Sequence, residues 1–418
     1  MQDLLIRRAH VQDGAPSQDI LIEEGIITRI SDGIVLPTDS SIHIVDAQDR
    51  VVLPGLVESH IHPDKAFLEN QMPNVSGTLA EAIRNTGELK AQFTMADVLD
   101  RASTILRWAS SKGTTLLRAH PDVDPISKLI GAEAMLTLKE SFREIIDVEV
   151  VAFPQEGILK SPGTYDLMVA AMQAGCRVVG GCPYNEATMD DTIRHIEVVF
   201  ELAERFGASV DMHVDFTDET ADPRYMTAEV ICEITQAHGM QGRVTLGHVT
   251  TLGSVEPDHP VFDQISKADI SIVTLPATDL YLNGRKDTHN IRRGIAPVQT
   301  LLKHGVNVVY SSNNVRNAFT PLGNADLLLA GYLLAEVNHM GSAQFGRVLD
   351  MVTTHAARAL GRAQGYGLRV GCRGDAVIVD SRRISDVIAD QPLGRTVIKG
   401  GRIVSDTKIS TEFRAQIS

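Results

Sequence analysis

The sequence predicts an α/β protein, a (β/α)8 TIM barrel with a small β-sandwich domain formed by both termini. Two observations predict this fold. Short runs of apolar and β-branched residues alternate with segments of helical periodicity through the middle of the 418-residue chain. Strand–turn–strand patterns, with Gly or Asp at the turns, occupy both ends of the chain.

The barrel strands are predicted from eight apolar runs that end in polar residues. These runs end at His60-Ile61-His62, Leu116–Asp122, Val150–Gln155, Arg177–Gly181, Ser209–Asp215, Arg243–Val249, Ser271–Ala277 and Asn307–Asn314. Helical periodicity between them predicts helices that include Ala96–Ser111, Thr164–Ala174, Asp190–Phe206, Ala228–His238 and Ala296–His304. Eight strand–helix units fit a barrel, whose usual size is about 250 residues before insertions.

The two ends of the chain resemble each other and differ from the middle. Both carry short β-type runs, such as DILIEEGIITRI near the start and RTVIKGGRIV near the end. We expect residues 1–55 and 365–418 to form one discontinuous β-sandwich domain, with the barrel in residues 56–364.

Composition excludes several classes of partner. The formal net charge of −14 argues against nucleic acid and anionic membranes, because both would repel the chain. No apolar stretch approaches the roughly 20 residues that a membrane-spanning helix needs. The four cysteines form no CxxC pair and the first residues resemble no export signal, which predicts a reduced, cytoplasmic protein.

The run VLPGLVESHIHPDK carries the strongest functional signal. Alternate residues of a strand point to the same side, so His60 and His62 would face one point where this strand ends. Imidazole is the commonest metal ligand among side chains, so the pair predicts half of a metal site. Barrel active sites lie at the carboxyl ends of the strands, and further polar residues fall there: His120, Asp122, Gln155, His213, Asp215, His248, Ser311, Ser312, Asn313 and Asn314. Other histidines, such as His195 and His238, are expected at the surface.

The spacing of HIHPDK, HPDVD, VAFPQEGIL, DMHVD, LGHVT, NGRKDTHNIRRGI and SSNNVRNAFTPLGNADLL resembles the cytosine deaminase branch of the amidohydrolase superfamily. This branch includes the isopropylammelide amidohydrolases, and the resemblance runs from about residue 1 to residue 405. It implies a metal-dependent hydrolase that cleaves a non-peptide C–N bond, by deamination or by amide or amine hydrolysis. The substrate would be a small cyclic amide or amidine, such as a pyrimidine- or triazine-like heterocycle.

The resemblance also implies roles for individual residues. One divalent metal ion, Zn or Fe, would be held by His60, His62 and His213, with position 313 as the fourth ligand position. A water molecule activated by the metal would be the nucleophile. His248 would contact the substrate carbonyl or this water. Substrate contacts are expected from Gln155, Lys65, His120, Phe216, Asn314 and Phe319.

Two departures from the family pattern affect the chemistry. The aspartate expected after the eighth strand is Asn313, which offers only a weak carbonyl oxygen and cannot accept a proton at physiological pH. The glutamate that moves protons in cytosine deaminase, three residues after the fifth-strand histidine, is Phe216. Asp215 and His248 are the preferred replacements for proton transfer, because both lie on strands that flank the metal position. The sequence alone does not show which of the two transfers the proton.

The competing interpretations remain open at this point. An isolated HxH is more often a hydrogen-bonded structural pair than a metal site, and it is the combination with His213 and His248 that favours ligands. The loss of two carboxylates motivates an alternative function, a catalytically degenerate family member that binds a small heterocycle without hydrolysis. In either case the expected partner is a small molecule, and a homo-oligomer is left open.

Overall fold

The computed structural model describes residues 3–217 and 222–414. Its strands are β1 Leu4–Ala9, β2 Gln18–Glu23, β3 Ile26–Ser31, β4 His43–Asp46, β5 Val52–Pro54, β6 Leu56–Ile61, β7 Thr114–Ala119, β8 Asp147–Ala152, β9 Val178–Gly181, β10 Ser209–Val214, β11 Val244–His248, β12 Ser271–Thr274, β13 Asn307–Tyr310, β14 Ala376–Val379, β15 Arg395–Lys399 and β16 Arg402–Thr407. Its α-helices are α1 Leu79–Lys90, α2 Met95–Ser111, α3 Ile130–Phe142, α4 Thr164–Ala174, α5 Met189–Phe206, α6 Ala228–Ala237, α7 Val261–Lys267, α8 Pro276–Leu282, α9 Val298–Lys303, α10 Leu327–Val337, α11 Phe345–Asp350, α12 Thr354–Ala359 and α13 Ile384–Asp390.

Strands β6 to β13 form one parallel sheet in which each strand pairs with the next along the chain. Backbone hydrogen bonds close this sheet into a barrel beyond the end of β13. The amide N–H of Asn313 donates to the carbonyl of His60 at 3.0 Å, and that of His62 donates to the carbonyl of Asn313 at 2.9 Å. The predicted (β/α)8 barrel is therefore confirmed, and it closes at the HxH segment.

The five helices predicted from periodicity are observed, with ends that differ by at most two residues. Threonine side chains cap three of the barrel helices. Thr78, Thr94 and Thr188 accept hydrogen bonds from backbone N–H groups at the starts of α1, α2 and α5. The largest difference is at α9, which begins at Val298 because Pro297 occupies its N-cap.

His195 is buried, and the expectation that it lies at the surface is wrong. It lies on the inner face of α5, where Thr192, Ile196 and Val199 are also buried at helical spacing. Its Nδ1 is 2.7 Å from Glu186, and its Nε2 accepts a hydrogen bond from the backbone of Cys182 at 3.0 Å. The imidazole therefore connects α5 to the segment that follows β9.

This buried pair predicts a loss of stability in acid. Burial lowers the pKa of His195. Burial raises the pKa of Glu186, but its hydrogen bond with His195 lowers it, and the net shift of the Glu186 pKa is downward. As pH falls through about 6.5 and then about 4.5, the unfolded chain therefore takes up protons before the folded chain does, and stability is lost. Denaturant unfolding measures the free energy of unfolding at pH 7.5 and at pH 5.5. The decrease in this free energy between the two pH values should be about 1 kcal/mol smaller for His195→Gln than for the parent chain. Parallel pH curves for the two proteins would contradict this assignment.

The terminal segments form two four-stranded sheets, with orders β3-β2-β1-β4 and β16-β15-β14-β5. The second sheet contains strands from both ends of the chain, because β5 pairs antiparallel with β14. Apolar side chains from both sheets form a shared core: Leu4, Ile6, Ala9, Ile20, Ile22, Ile27, Ala47, Val52, Ala376, Ile378 and Ile398. The expected sandwich from both termini is present, while the domain limits at residues 55 and 365 stay a prediction.

A buried ion pair connects the second terminal sheet to the barrel. Arg395 on β15 donates to both carboxylate oxygens of Asp326, at 2.8 and 3.0 Å. Asp326 also caps α10 by accepting from the backbone of Leu328. This acid is therefore held away from the carboxyl ends of the barrel strands. Among the described residues, no helix is long and apolar enough to cross a membrane.

Candidate metal centre and substrate pocket

Three imidazoles converge at the carboxyl ends of β6 and β10. The Nε2 atom of His213 lies 3.0 Å from Nε2 of His60 and 3.0 Å from Nε2 of His62. All three side chains are buried. Their arrangement follows from strand geometry, because His60 and His62 alternate along one strand and His213 faces them from another. The structure thus brings together the three residues that the sequence predicts as metal ligands.

The donor atoms of this cluster suit a metal ion. His62 Nδ1 lies 2.7 Å from the backbone carbonyl of His120, so it carries the proton and leaves the Nε2 lone pair facing the cluster. Burial lowers the pKa values of His60, His62 and His213 well below the ordinary histidine value, and neighbouring imidazoles add to this effect, as does Lys65 for His62. Three neutral imidazole nitrogens at this spacing match the histidine ligands of catalytic zinc sites. The residues therefore fit the metal ion that the family pattern implies.

Asn313 lies beside this cluster with an unsatisfied amide. Its backbone hydrogen bonds to the HxH segment fix its position, and it adopts a left-handed conformation with φ +59°. Both its Oδ1 and its Nδ2 are buried without a hydrogen-bond partner. Because an unpaired buried amide is costly, the side chain is suited to a ligand or an ion that completes it.

Asn313→Asp should increase affinity for a divalent ion by tenfold or more. One added charge contact is worth roughly 4 kcal/mol at protein-like dielectric before desolvation is subtracted, and about 1.4 kcal/mol is tenfold. Metal titration against a competing chelator measures this gain. Asn314→Asp is the matched control, since it adds the same charge one residue further along and should give a smaller gain. Equal affinities for the parent chain and Asn313→Asp would show that residue 313 does not contact the ion.

A second histidine dyad faces the same cavity. His248 Nδ1 lies 2.7 Å from Oδ1 of Asp279, and the other oxygen of Asp279 accepts from the backbone of Leu275 at 3.2 Å. Burial raises the pKa of Asp279. The ring of Phe216 stacks on His248 with centroids 3.7 Å apart. The dyad and the stacked ring together fix the orientation of the His248 imidazole.

The cavity above these groups is narrow, and the space between its walls, including the part open to solvent, is about 240 Å³. Among the described residues, none that lines it is a carboxylate or a cation. Its walls are His62, Gln155, Tyr184, His213, Phe216, His248, Thr278, Asn313, Asn314 and Phe319. The predicted positions Gln155, Phe216, His248, Asn313, Asn314 and Phe319 are thus brought together.

Asp215 does not reach this cavity. Strand β10 ends at Val214, and Asp215 turns into the left-handed region with φ +51°. Its carboxylate caps α6, accepting from the backbone and hydroxyl of Thr227 at 2.8 Å and from the backbone of Ala228 at 3.1 Å. The expectation that it shares the face of His213 assumes a continuing strand. Every oxygen of this carboxylate instead has a structural partner.

Lys65 and His120 also lie outside the cavity wall. Lys65 is buried, with its ammonium 2.6 Å from Asp122 and between the rings of Phe153 and Phe319, at 5.4 and 5.8 Å from their centroids. His120 stacks under His60 with centroids 3.9 Å apart. Both residues therefore support groups at the site from behind.

Sequence reasoning does not single out Asp279, Tyr184 or Phe153. Asp279 lies in α8, directly after the seventh barrel strand. An acid close to a strand end is the one sequence feature that could have indicated a role for it. Phe153 directly follows β8 and stacks on His213 with centroids 4.2 Å apart. Tyr184 follows β9 in a short helical turn that has no periodicity to reveal it.

Comparison with known proteins agrees with this geometry. A model of the amidohydrolase family matches residues 78–405. The chain is 26% identical to N-isopropylammelide isopropyl amidohydrolase of Pseudomonas sp. (strain ADP), over 96% of this chain and 97% of the relative. It is 27% identical to pterin deaminase of Rhizobium rhizogenes, over 94% of this chain and 89% of the relative.

Solved structures give the same result. 5-Methylcytosine deaminase from Klebsiella pneumoniae, liganded with 5-fluorocytosine, superposes with a TM-score of 0.91 at 30% identity, covering 99% of each chain. N-isopropylammelide isopropylaminohydrolase from Burkholderia multivorans gives a TM-score of 0.84 at 29% identity, covering 97% of this chain and 99% of that one.

The fold and the histidine cluster define a barrel hydrolase of the kind that acts on C–N bonds other than peptide bonds. This chain belongs to the amidohydrolase family. The resemblance to its cytosine deaminase-like branch is confirmed, and the comparisons do not favour the alternative of a non-hydrolysing binder.

Proposed function

We propose that this chain hydrolyses a C–N bond of a small, neutral, cyclic amide or amidine with the help of one divalent ion, Zn or Fe. The observation that carries the proposal is the convergence of His60, His62 and His213 below a small cavity with uncharged walls. These three imidazoles would hold the ion. When bound, such an ion polarises substrate groups and makes water nucleophilic near neutral pH.

The cavity wall supports a planar heterocycle as substrate. Phe216 and Phe319 offer aromatic faces, against which a flat ring packs favourably. Gln155, Asn313 and Asn314 offer amide donors and acceptors, which match the alternating edge of a cyclic amidine. Relatives that act on isopropylammelide, pterin and 5-methylcytosine support this class.

His248 is the proposed carrier of the proton between the attacking water and the leaving nitrogen. Its Nδ1 proton is engaged by Asp279, so its Nε2 is the atom available to a substrate. This dyad takes over proton transfer in place of the glutamate that Phe216 replaces. Asp215 is not part of the proposal, because its carboxylate caps α6.

Replacing His248 with asparagine should lower kcat by roughly 10²- to 10⁴-fold, the range typical of a lost general acid–base group. Metal content should stay unchanged, because His248 is not one of the three converging imidazoles. Asp279→Asn should have a smaller effect in the same direction, since it removes the orienting partner and leaves the ring. Full activity of His248→Asn would show that the proton moves by another route.

A substrate panel tests the proposed function as a whole. The metal-loaded chain is incubated with cytosine, 5-methylcytosine and amino- or alkylamino-substituted oxotriazines, and release of ammonia or amine is measured. Turnover of at least one ring compound, lost on chelation and restored by Zn or Fe, is the expected result. Metal-independent turnover, or a metal-loaded chain that binds these rings without hydrolysing any, would contradict the proposal.

The proposal includes a cytoplasmic setting and a small-molecule partner without nucleic acid. All four cysteines are buried free thiols, which suits a reducing compartment. A homo-oligomer is compatible with the proposal.

A further inference from the structure

A buried carboxylate lies directly below the converging imidazoles. Asp211 and His213 alternate on β10, so both side chains point into the barrel interior. Oδ1 of Asp211 is 3.8 Å from Nδ1 of His60 and 3.1 Å from Nε2 of His120. Oδ1 of Asp211, Nδ1 of His60 and Nε2 of His120 are all buried, and none of them makes a hydrogen bond in this arrangement. An unpaired acceptor therefore faces two unpaired ring nitrogens behind the cluster.

Arg118 fixes this carboxylate from the other side. Its Nη1 donates to Oδ2 of Asp211 at 2.8 Å, and its Nε donates to Glu149 at 2.7 Å. Arg118 and Asp211 are both about 1% exposed or less. The guanidinium holds one oxygen of Asp211 and leaves Oδ1 directed at the histidines. Asp211 therefore places a carboxylate, paired with a cation on its other side, at the back of the cluster.

The chemistry of the site calls for such a charge. Histidine binds a metal ion as the neutral imidazole, and Asn313 provides an amide rather than a carboxylate. A divalent ion held by these groups would place two positive charges in a buried space without an anionic ligand, which is costly. A carboxylate behind a ligating imidazole makes that imidazole a stronger donor and orients its ring.

We propose that Asp211 is a positioning residue that acts through His60 and supplies the negative charge that Asn313 does not. This inference rests on the proposed metal centre but goes beyond it, because it assigns the charge balance of the site to a residue that does not touch the ion. On ion binding, the 3.8 Å separation would shorten into a hydrogen bond from His60 Nδ1–H to Asp211 Oδ1.

The same atoms also suggest a second cation between His60, His120 and Asp211, which lie within ligand spacing of one another. Two features favour the positioning role. The Arg118 guanidinium bonded to Asp211 would repel a second divalent ion at this point. His60 would also have to give up its remaining ring proton to bind two ions at once.

The test is a metal titration of the full chain with Zn against a competing chelator. Asp211→Asn should weaken affinity by about 10- to 100-fold, the usual effect of losing such a partner. Glu149→Gln is the matched control, because it removes the other carboxylate bonded to Arg118 while Asp211 stays; it should change affinity by less than about threefold. Asn313→Asp should improve affinity more in the Asp211→Asn background than in the parent chain, which a merely structural role of Asp211 would not produce.

If Asp211→Asn does not fold, the double variant Arg118→Gln/Asp211→Asn removes the opposite charges together and should show the same loss of affinity. Unchanged affinity in either folded variant would overturn the inference, as would a second Zn per chain that disappears with Asp211. A parent chain that binds no Zn would instead overturn the proposed metal centre itself. The two failures are therefore distinguishable.

Discussion

Replacing His213 with alanine is expected to abolish metal binding and, with it, hydrolysis. His213 Nε2 is the atom that lies 3.0 Å from the Nε2 atoms of both other imidazoles, so its loss leaves only a two-ligand site. Metal catalysis contributes several kcal/mol of transition-state stabilisation, which is roughly a thousandfold in rate or more. Elemental analysis and kcat/KM on the substrate identified by the panel measure the two effects.

His238→Ala is the control for this experiment. His238 lies at the end of α6, is partly exposed and contacts Glu204. It does not contact the three converging imidazoles. This variant should keep its metal and its activity. Retention of one metal ion per chain by His213→Ala would contradict the assignment of His213 as a ligand.

Replacing Lys90 with methionine is expected to destabilise the chain by about 3–5 kcal/mol, the usual cost of breaking a buried charge network from one side. Lys90 ends α1 and is buried, with its ammonium 3.0 Å from Asp122, 2.7 Å from Asp124 and 2.7 Å from Glu156. Burial by itself would lower the pKa of Lys90, but these carboxylates raise it above the ordinary value. Without the Lys90 ammonium, Lys65 beside Asp122 would be the one lysine whose ammonium still contacts these acids among the described residues.

Urea unfolding of the parent chain and the variant measures this loss. Lys267→Met, at an exposed position in the last turn of α7, is the matched control and should change stability by about 0.5 kcal/mol or less. A change below about 1 kcal/mol for Lys90→Met would show that the network contributes little to stability. Because the acids follow β7 and β8, the same variant should also loosen the loop that carries Gln155.

The barrel and the three converging histidines follow from the sequence because both depend on local periodicity. Side chains alternate in direction along a strand, which places His60 and His62 on the same side, and the repeated order of strands and helices brings His213 to the same end. Both patterns predict the side-chain positions correctly because the strands continue to, or close to, the ligand residues.

Asp215 shows where that reasoning ends. One residue beyond β10 the backbone turns into the left-handed region, and alternation no longer says where a side chain points. Asp279 is missed for a related reason, since a helix rather than a strand carries it. The burial of His195 was readable, because its spacing from Thr192, Ile196 and Val199 marks one helix face. Asp211 was readable too, two residues before a ligand on the same strand, but its pairing with Arg118 is a contact between distant strands.

The most direct measurement is hydrolysis as a function of metal content in a single preparation. The chain is stripped with a chelator, reloaded with increasing Zn or Fe, and assayed with the best ring substrate at each step. Activity should rise linearly with metal content and saturate at one ion per chain. Activity that is already complete in the stripped chain, or that stays absent at full occupancy with every ring compound tested, would contradict this prediction.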